Sequence, residues 1–409
     1  MTHQAAYGPE RLPLAGRNGE KKQKNVRYIK AIYTVLVVLM ILYFALFPLN
    51  IVTVKQIIGD LLLLAFLIAA PALLILDVLK GEELLLSLAI QPCIILSAAV
   101  SDAKVGVMQL IKIAGLFVGF LFFLNAIHTF SMSEKMKKFL VFANLATCVL
   151  LTVYSQMDFA YDSASGNLTL GFSNSNQTAM VLLYCFAMNI MAMKRRDYPW
   201  LVGVLVVADL LYLLYLTTSR SCFFTALLLL VLSFLPVKKI PGWVMLLAMV
   251  FPLICLFVLP WLYEQGLFLD FELFGKTIYS GRETIFAVRI QYLHNPLQVL
   301  FGNMVRGNFD NHHNGPLALL LSVGVTGLLV TYRSIYLCMR RITAQIRNPA
   351  NFTAIFAVLC LFIHSSAEAA LMTGRSPFNV MILTILLFAK ESACNEDPPC
   401  ELHRSGQHG

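Results

Sequence analysis

Charge is scarce in this chain. Only 13% of its 409 residues are charged, against 58% hydrophobic, and the mean hydropathy is +0.74. A water-soluble protein of this length has no room to hide so much apolar surface, so the expected solvent is lipid. Acidic residues are scarcer than basic ones, 22 against 31, which leaves a net charge of +9. That excess does not read as nucleic-acid binding, because the lysines and arginines gather at the ends of apolar runs, as they do in membrane proteins. Metal-like or bridging cysteine spacing is also missing. Cys93, Cys148, Cys185, Cys255 and Cys360 lie inside apolar runs, where cysteine behaves as a small hydrophobe. Cys394 and Cys400 have no partner at ligand spacing. There is no cleavable leader pattern, since a long polar stretch precedes the first apolar run and that run is long enough to span. Neither a repeat nor the matched helix breaks of inverted-repeat transporters are found.

What is present is a series of apolar segments. They fall at 29–48, 56–78, 83–101, 105–127, 139–157, 175–193, 199–217, 221–237, 242–262, 314–336, 352–371 and 376–390, each near the length that crosses a bilayer core. The expectation is an all-α polytopic membrane protein with about twelve transmembrane helices and both termini cytoplasmic. Residues 1–28 read as a disordered basic cytoplasmic tail, 29–262 as spans one to nine, 314–390 as spans ten to twelve and 391–409 as a second tail. Most basic residues then lie inside, in the clusters Lys135/Lys137/Lys138, Lys194/Arg195/Arg196, Lys238/Lys239 and Arg340/Arg341/Arg347. Trp200, Trp243 and Trp261 fall at span ends, as interfacial anchors do.

One polar stretch stands apart, the large extracytoplasmic loop at 263–313 ahead of span ten, expected to carry short helices. Long loops cross regardless of charge, so its arginines are not topology signals. It contains Ser280-Gly281-Arg282 and Arg289, and it ends in Asn311-His312-His313-Asn314. If this part is helical, Arg282 and Arg289 share a face two turns apart. Arg220, in Thr218-Ser219-Arg220-Ser221, lies at the outer end of span seven; a headgroup-snorkelling arginine is its plainest reading. In span eleven His364 and Glu368 sit four apart on one predicted helix face. Lys112 and Asp209 are further ionisable groups inside predicted spans, where such groups are costly. Guanidinium grips phosphate through a rigid fork, and histidine exchanges protons near neutrality. Arginines and histidines on one outer face therefore suit transfer from a phosphorylated lipid. Asp270 and Glu272 resemble a metal-binding acid pair only loosely, and no metal site is expected.

Four local patterns, in order, carry a family resemblance. They are Phe172-Ser-Asn174-Ser-Asn176-Gln-Thr-Ala179, Thr218-Ser219-Arg220, Ser280-Gly281-Arg282, and His313-Asn314 followed by Gly324-Val-Thr-Gly327. The chain resembles the bacterial O-antigen ligase and O-antigen polymerase family of GT-C-like membrane glycosyltransferases over about 170–336, with Ser175 where that family usually has proline. The resemblance implies a metal-independent, cofactor-free glycosyltransferase of the bacterial cytoplasmic membrane, working at its outer face. The donor would be a glycan on undecaprenyl pyrophosphate and the acceptor a glycan or lipid-linked glycan. Arg220, Arg282 and His313 would be catalytic, the arginines holding pyrophosphate and His313 activating the acceptor hydroxyl. Arg289, Asn314, His312, Asn176 and Glu368 are candidate substrate-binding residues. A chain-length regulator and membrane lipid are the further partners, and nucleic acid is not one. A polymerase for O-antigen, capsule or exopolysaccharide is favoured over a ligase acting on lipid A core. A transporter of lipid-linked sugars is the alternative from another class.

Overall fold

The computed structural model describes residues 14–390 apart from 47–51, 77, 130, 173, 274–275, 278, 280, 306–311 and 369–375. Fourteen α-helices order these residues. They are α1 (Leu14–Leu46), α2 (Val52–Ile75), α3 (Gly81–Val100), α4 (Val107–Ala126), α5 (Glu134–Tyr154), α6 (Ser175–Arg195) and α7 (Trp200–Leu216). Next come α8 (Arg220–Phe234), α9 (Gly242–Glu264), α10 (Arg282–Ile290), α11 (Pro296–Phe301), α12 (Gly315–Gln345), α13 (Phe352–His364) and α14 (Ser376–Ala389). A two-residue antiparallel hairpin, β1 (Glu272–Leu273) with β2 (Lys276–Thr277), stands between α9 and α10.

Eight helices are long and apolar enough to cross a membrane: α1 to α6, α9 and α12. The other four apolar helices are shorter, with 17 residues in α7, 15 in α8, 13 in α13 and 14 in α14. The chain is thus an all-α polytopic membrane protein. Lipid as solvent explains which faces are apolar. Leu85, Phe142, Val231 and Leu246 are exposed on the outside of the bundle, where water would penalise them and hydrocarbon does not. The three tryptophans lie at helix ends with exposed rings, at the amphipathic boundary they favour.

Two helices run through the interior. The most apolar window of α6 is 89% buried and that of α12 is 78% buried, whereas those of α1, α2, α3, α5 and α9 lie between 28% and 39%. The helix α13 packs on α8, α9, α14 and α6. On the half-buried face between α5 and α7, Asp209 Oδ2 accepts a hydrogen bond from Thr152 Oγ1 at 2.6 Å.

The structure departs from the sequence reading in three places. Helix α1 begins at Leu14, so residues 14–28 continue the first helix instead of forming a disordered tail. The run Glu20-Lys21-Lys22-Gln23-Lys24 is made of strong helix formers. Span eleven ends at His364, and Ser365–Ala367 form a turn capped by Ser365 Oγ on Phe362 O at 2.6 Å. His364 and Glu368 therefore do not share a helix face. Span ten continues to Gln345 and is broken at Gly324, whose φ of 67° and ψ of −172° are non-helical. The backbone of α11 comes against that break, and Asn303 N bonds Leu321 O at 2.6 Å. Between α5 and α6 the chain makes a 3-10 turn at Asp158–Ala160 and a bridge between Tyr161 and Leu168. The tails at 1–13 and 391–409, with Cys394 and Cys400, and the side chain of Lys112 lie outside the described residues.

Candidate functional site

Each of the four sequence patterns sits at the start of a helix. Asn174 caps α6, accepting from Gln177 N at 3.0 Å, and Asn176 follows in the first turn. Ser219 precedes Arg220, the first residue of α8. Gly281, in the left-handed region at φ 79°, precedes Arg282, the first residue of α10. Asn314 caps α12, its Oδ1 accepting from Leu317 N at 2.9 Å. A helix start leaves N–H groups unpaired and carries partial positive charge, which favours an anion nearby.

These starts face one cavity of about 300 Å³, lined by Asn176, the segment Thr218–Ser221, Arg282 and His313. The three residues expected to be catalytic thus come together from stretches far apart in sequence. Arg220 is anchored by Nη1 donating to Thr277 O at 2.8 Å, which ties β2 of the large loop to α8. Arg282 is anchored by Nε donating to Ala367 O at 3.1 Å. The two guanidinium charges are near enough to repel each other, and an anion between them relieves that repulsion.

Glu368 is the counter-charge. It is 6% exposed and its Oε1 meets three side chains. Asn176 Nδ2 donates to it at 2.5 Å, Arg282 Nη2 lies at 3.5 Å and His313 Nδ1 lies at 3.5 Å. A carboxylate on Nδ1 leaves the other ring nitrogen of His313 as the one available for proton exchange. Two residues of the lining, Thr218 at φ 54° and His313 at φ 49°, hold a left-handed backbone that β-branched and bulky residues avoid. Such strain gathers at functional sites.

The remaining sequence candidates fall differently. Asn314 is fully buried and committed to structure, because its Nδ2 also donates to Pro252 O at 3.2 Å and Ser366 O at 3.3 Å. His312 is 1% exposed and does not line the cavity. Arg289 shares α10 with Arg282 but is held by Tyr292, with Nη1 on Oη at 2.6 Å and the guanidinium 5.2 Å from the ring centre. Two helical turns put about 10 Å between the two arginines along the axis, so a shared face does not bring Arg289 to the cavity. Ser280 and Asn311 lie outside the described residues. Among the described residues no three His, Cys, Asp or Glu side chains gather as a metal site.

The sequence reading overlooked Ser221. It lines the cavity, and its hydroxyl sits 3.3 Å from His364 Nε2, which also lies 2.9 Å from Cys222 Sγ. The break after His364 produces this arrangement, sending His364 towards α8 and Glu368 towards α10. No signal for that break stands out in an apolar run containing two serines. No protein-family model, curated protein or solved structure matches the chain.

Proposed function

We propose that this protein is a membrane glycosyltransferase that takes a glycan from undecaprenyl pyrophosphate and joins it to an acceptor sugar hydroxyl, acting as a polysaccharide polymerase. The observation that carries the reading is the convergence of Arg220, Arg282 and His313 on one cavity ringed by helix starts. Among the described residues eight long and four shorter apolar helices overlap the twelve segments read from the sequence, and we take all twelve as spans. Helices α6, α8 and α12 begin at the cavity, so Lys194, Arg195, Arg340 and Arg341 lie towards the other end. The excess of basic residues there supports a cytoplasmic assignment for that end and an outer-face assignment for the cavity.

In this reading pyrophosphate lies between Arg220 and Arg282, with the N–H groups at the start of α8 beside it. The acceptor oxygen attacks the anomeric carbon of the donor glycan. The bond from that carbon to the pyrophosphate oxygen breaks, and the electron pair leaves with pyrophosphate. The acceptor proton passes to His313, held in orientation by Glu368. Fixed cations stabilise charge that grows only as the bond breaks, which lowers the barrier instead of tightening ground-state binding. A ligase shares this donor and chemistry and differs in acceptor.

The test is the glycan size ladder of a deletion strain complemented with wild type, Arg220→Ala, Arg282→Ala or His313→Ala at matched membrane levels. The reading expects no ladder from any variant, with single repeats still attached to their acceptor. Polymer stranded on the lipid carrier indicates a ligase instead. Normal ladders from all three variants remove the glycosyltransferase reading.

A further inference from the structure

A second cavity, of about 390 Å³, lies where α8 ends and α13 begins. Phe234, Leu235, Phe352 and Phe356 form apolar walls, and Lys194 and Lys238 supply two ammonium groups. Helix α8 starts at the arginine cavity and α13 ends beside it, so this second cavity sits at the opposite end of the bundle. The two lysines differ from the cations around them. Arg195 pairs with Glu134 at 2.7 Å and Asp197 at 3.1 Å, and Lys137 pairs with Glu134 at 3.4 Å. Neither Lys194 nor Lys238 has a carboxylate partner among the described residues. Lys194 instead lies 4.9 Å over the ring of Phe234.

The depth of the cavity matters as much as its charge. With 15 residues, α8 is about 22 Å long, short of the roughly 30 Å hydrocarbon core. Its end therefore lies about 8 Å short of the headgroup layer, a gap that a lysine stem largely bridges, and Phe234 and Leu235 are exposed there. Basic pockets between helices at that level take lipid phosphates, while long lysine stems reach from apolar surface to the headgroup layer.

We propose that this cavity binds an anionic membrane phospholipid, its phosphate between Lys194 and Lys238 and its acyl chains along Phe234 and Leu235. The site is independent of the arginine cavity and of any glycosyl transfer there.

Native mass spectrometry of the purified full-length protein tests this, using phosphatidylglycerol and phosphatidylcholine as probes. Wild type should retain one phosphatidylglycerol in preference to phosphatidylcholine. The variant Lys194→Gln/Lys238→Gln should bind it roughly 30-fold more weakly, as expected for two interfacial lysines. The control Lys135→Gln/Lys138→Gln removes two exposed charges and should bind within twofold of wild type. Lys238→Gln alone, at an exposed side chain, should show part of the loss if the double variant does not fold. Unchanged binding in the cavity variants overturns the proposal, and so does an equal loss in the control. Full displacement by millimolar inorganic phosphate makes it a free-anion site and also overturns it.

Discussion

Gly324→Ala is the perturbation whose size follows most directly from the structure. At φ 67° and ψ −172° Gly324 occupies a backbone region that is nearly closed to residues with a side chain, at a cost of about 1–3 kcal/mol. An added Cβ would lie 2.2 Å from Leu300 O and 2.4 Å from both Leu300 C and Phe301 N. That is well over about 1 Å inside normal contact. Backbone cannot rotate away, so α11 must be pushed off α12, at about 1–3 kcal/mol more for overpacking. The hydrogen bond from Asn303 N to Leu321 O would stretch with it. Together the loss is about 2–6 kcal/mol, a fall in melting temperature on the order of 5 °C for a chain of this length. The assay is thermal unfolding of purified protein in detergent, followed by intrinsic fluorescence. Gly59→Ala is the matched control. It lies inside α2 with nothing within 4 Å of its added Cβ, and should stabilise by about 0.5–1 kcal/mol through helix propensity. If Gly324→Ala melts with wild type, the close approach of α11 to the broken helix is wrong.

Three further outcomes are expected. Asn314→Ala removes a helix cap worth about 1 kcal/mol and strips donors from two carbonyls, so it should lose about 2–4 kcal/mol in the same melting assay; Asn314→Asp keeps the cap and should lose less. Arg289→Ala should leave glycan ladders within threefold of wild type, since its guanidinium is held by Tyr292, whereas Arg282→Ala should reduce product at least about 100-fold. Added pyrophosphate should raise the melting temperature of wild type. Arg220→Ala should weaken that binding about 10- to 100-fold, the loss of one charge-assisted contact; Arg220→Lys should recover only part of it, because an ammonium has no fork.

Much of this was legible in the residues, and the failures have physical causes. The apolar segments were visible because lipid demands long runs without charge, and each of them contains an apolar helix among the described residues. Arg220, Arg282, Asn176 and His313, which line one cavity, were singled out in the sequence by the local patterns that carry the family resemblance. Helix ends were harder. Nothing in Leu361-Phe-Ile-His-Ser-Ser announces a stop, so His364 and Glu368 read as one face although they turn to different neighbours. Arg289 shows the limit of angular reasoning, since helical period gives direction but not distance along the axis. Asn314 and Glu368 looked alike as polar groups beside a site. Their partners separate them, because Asn314 spends its donors on backbone carbonyls while Glu368 holds Asn176, Arg282 and His313.

The most direct measurement puts purified protein into liposomes with an undecaprenyl-pyrophosphate-linked oligosaccharide repeat as both donor and acceptor. The account predicts a longer lipid-linked glycan and released undecaprenyl pyrophosphate with wild type, and neither with His313→Ala. Movement of the lipid-linked sugar across the bilayer with no new glycosidic bond would contradict it and make the protein a transporter.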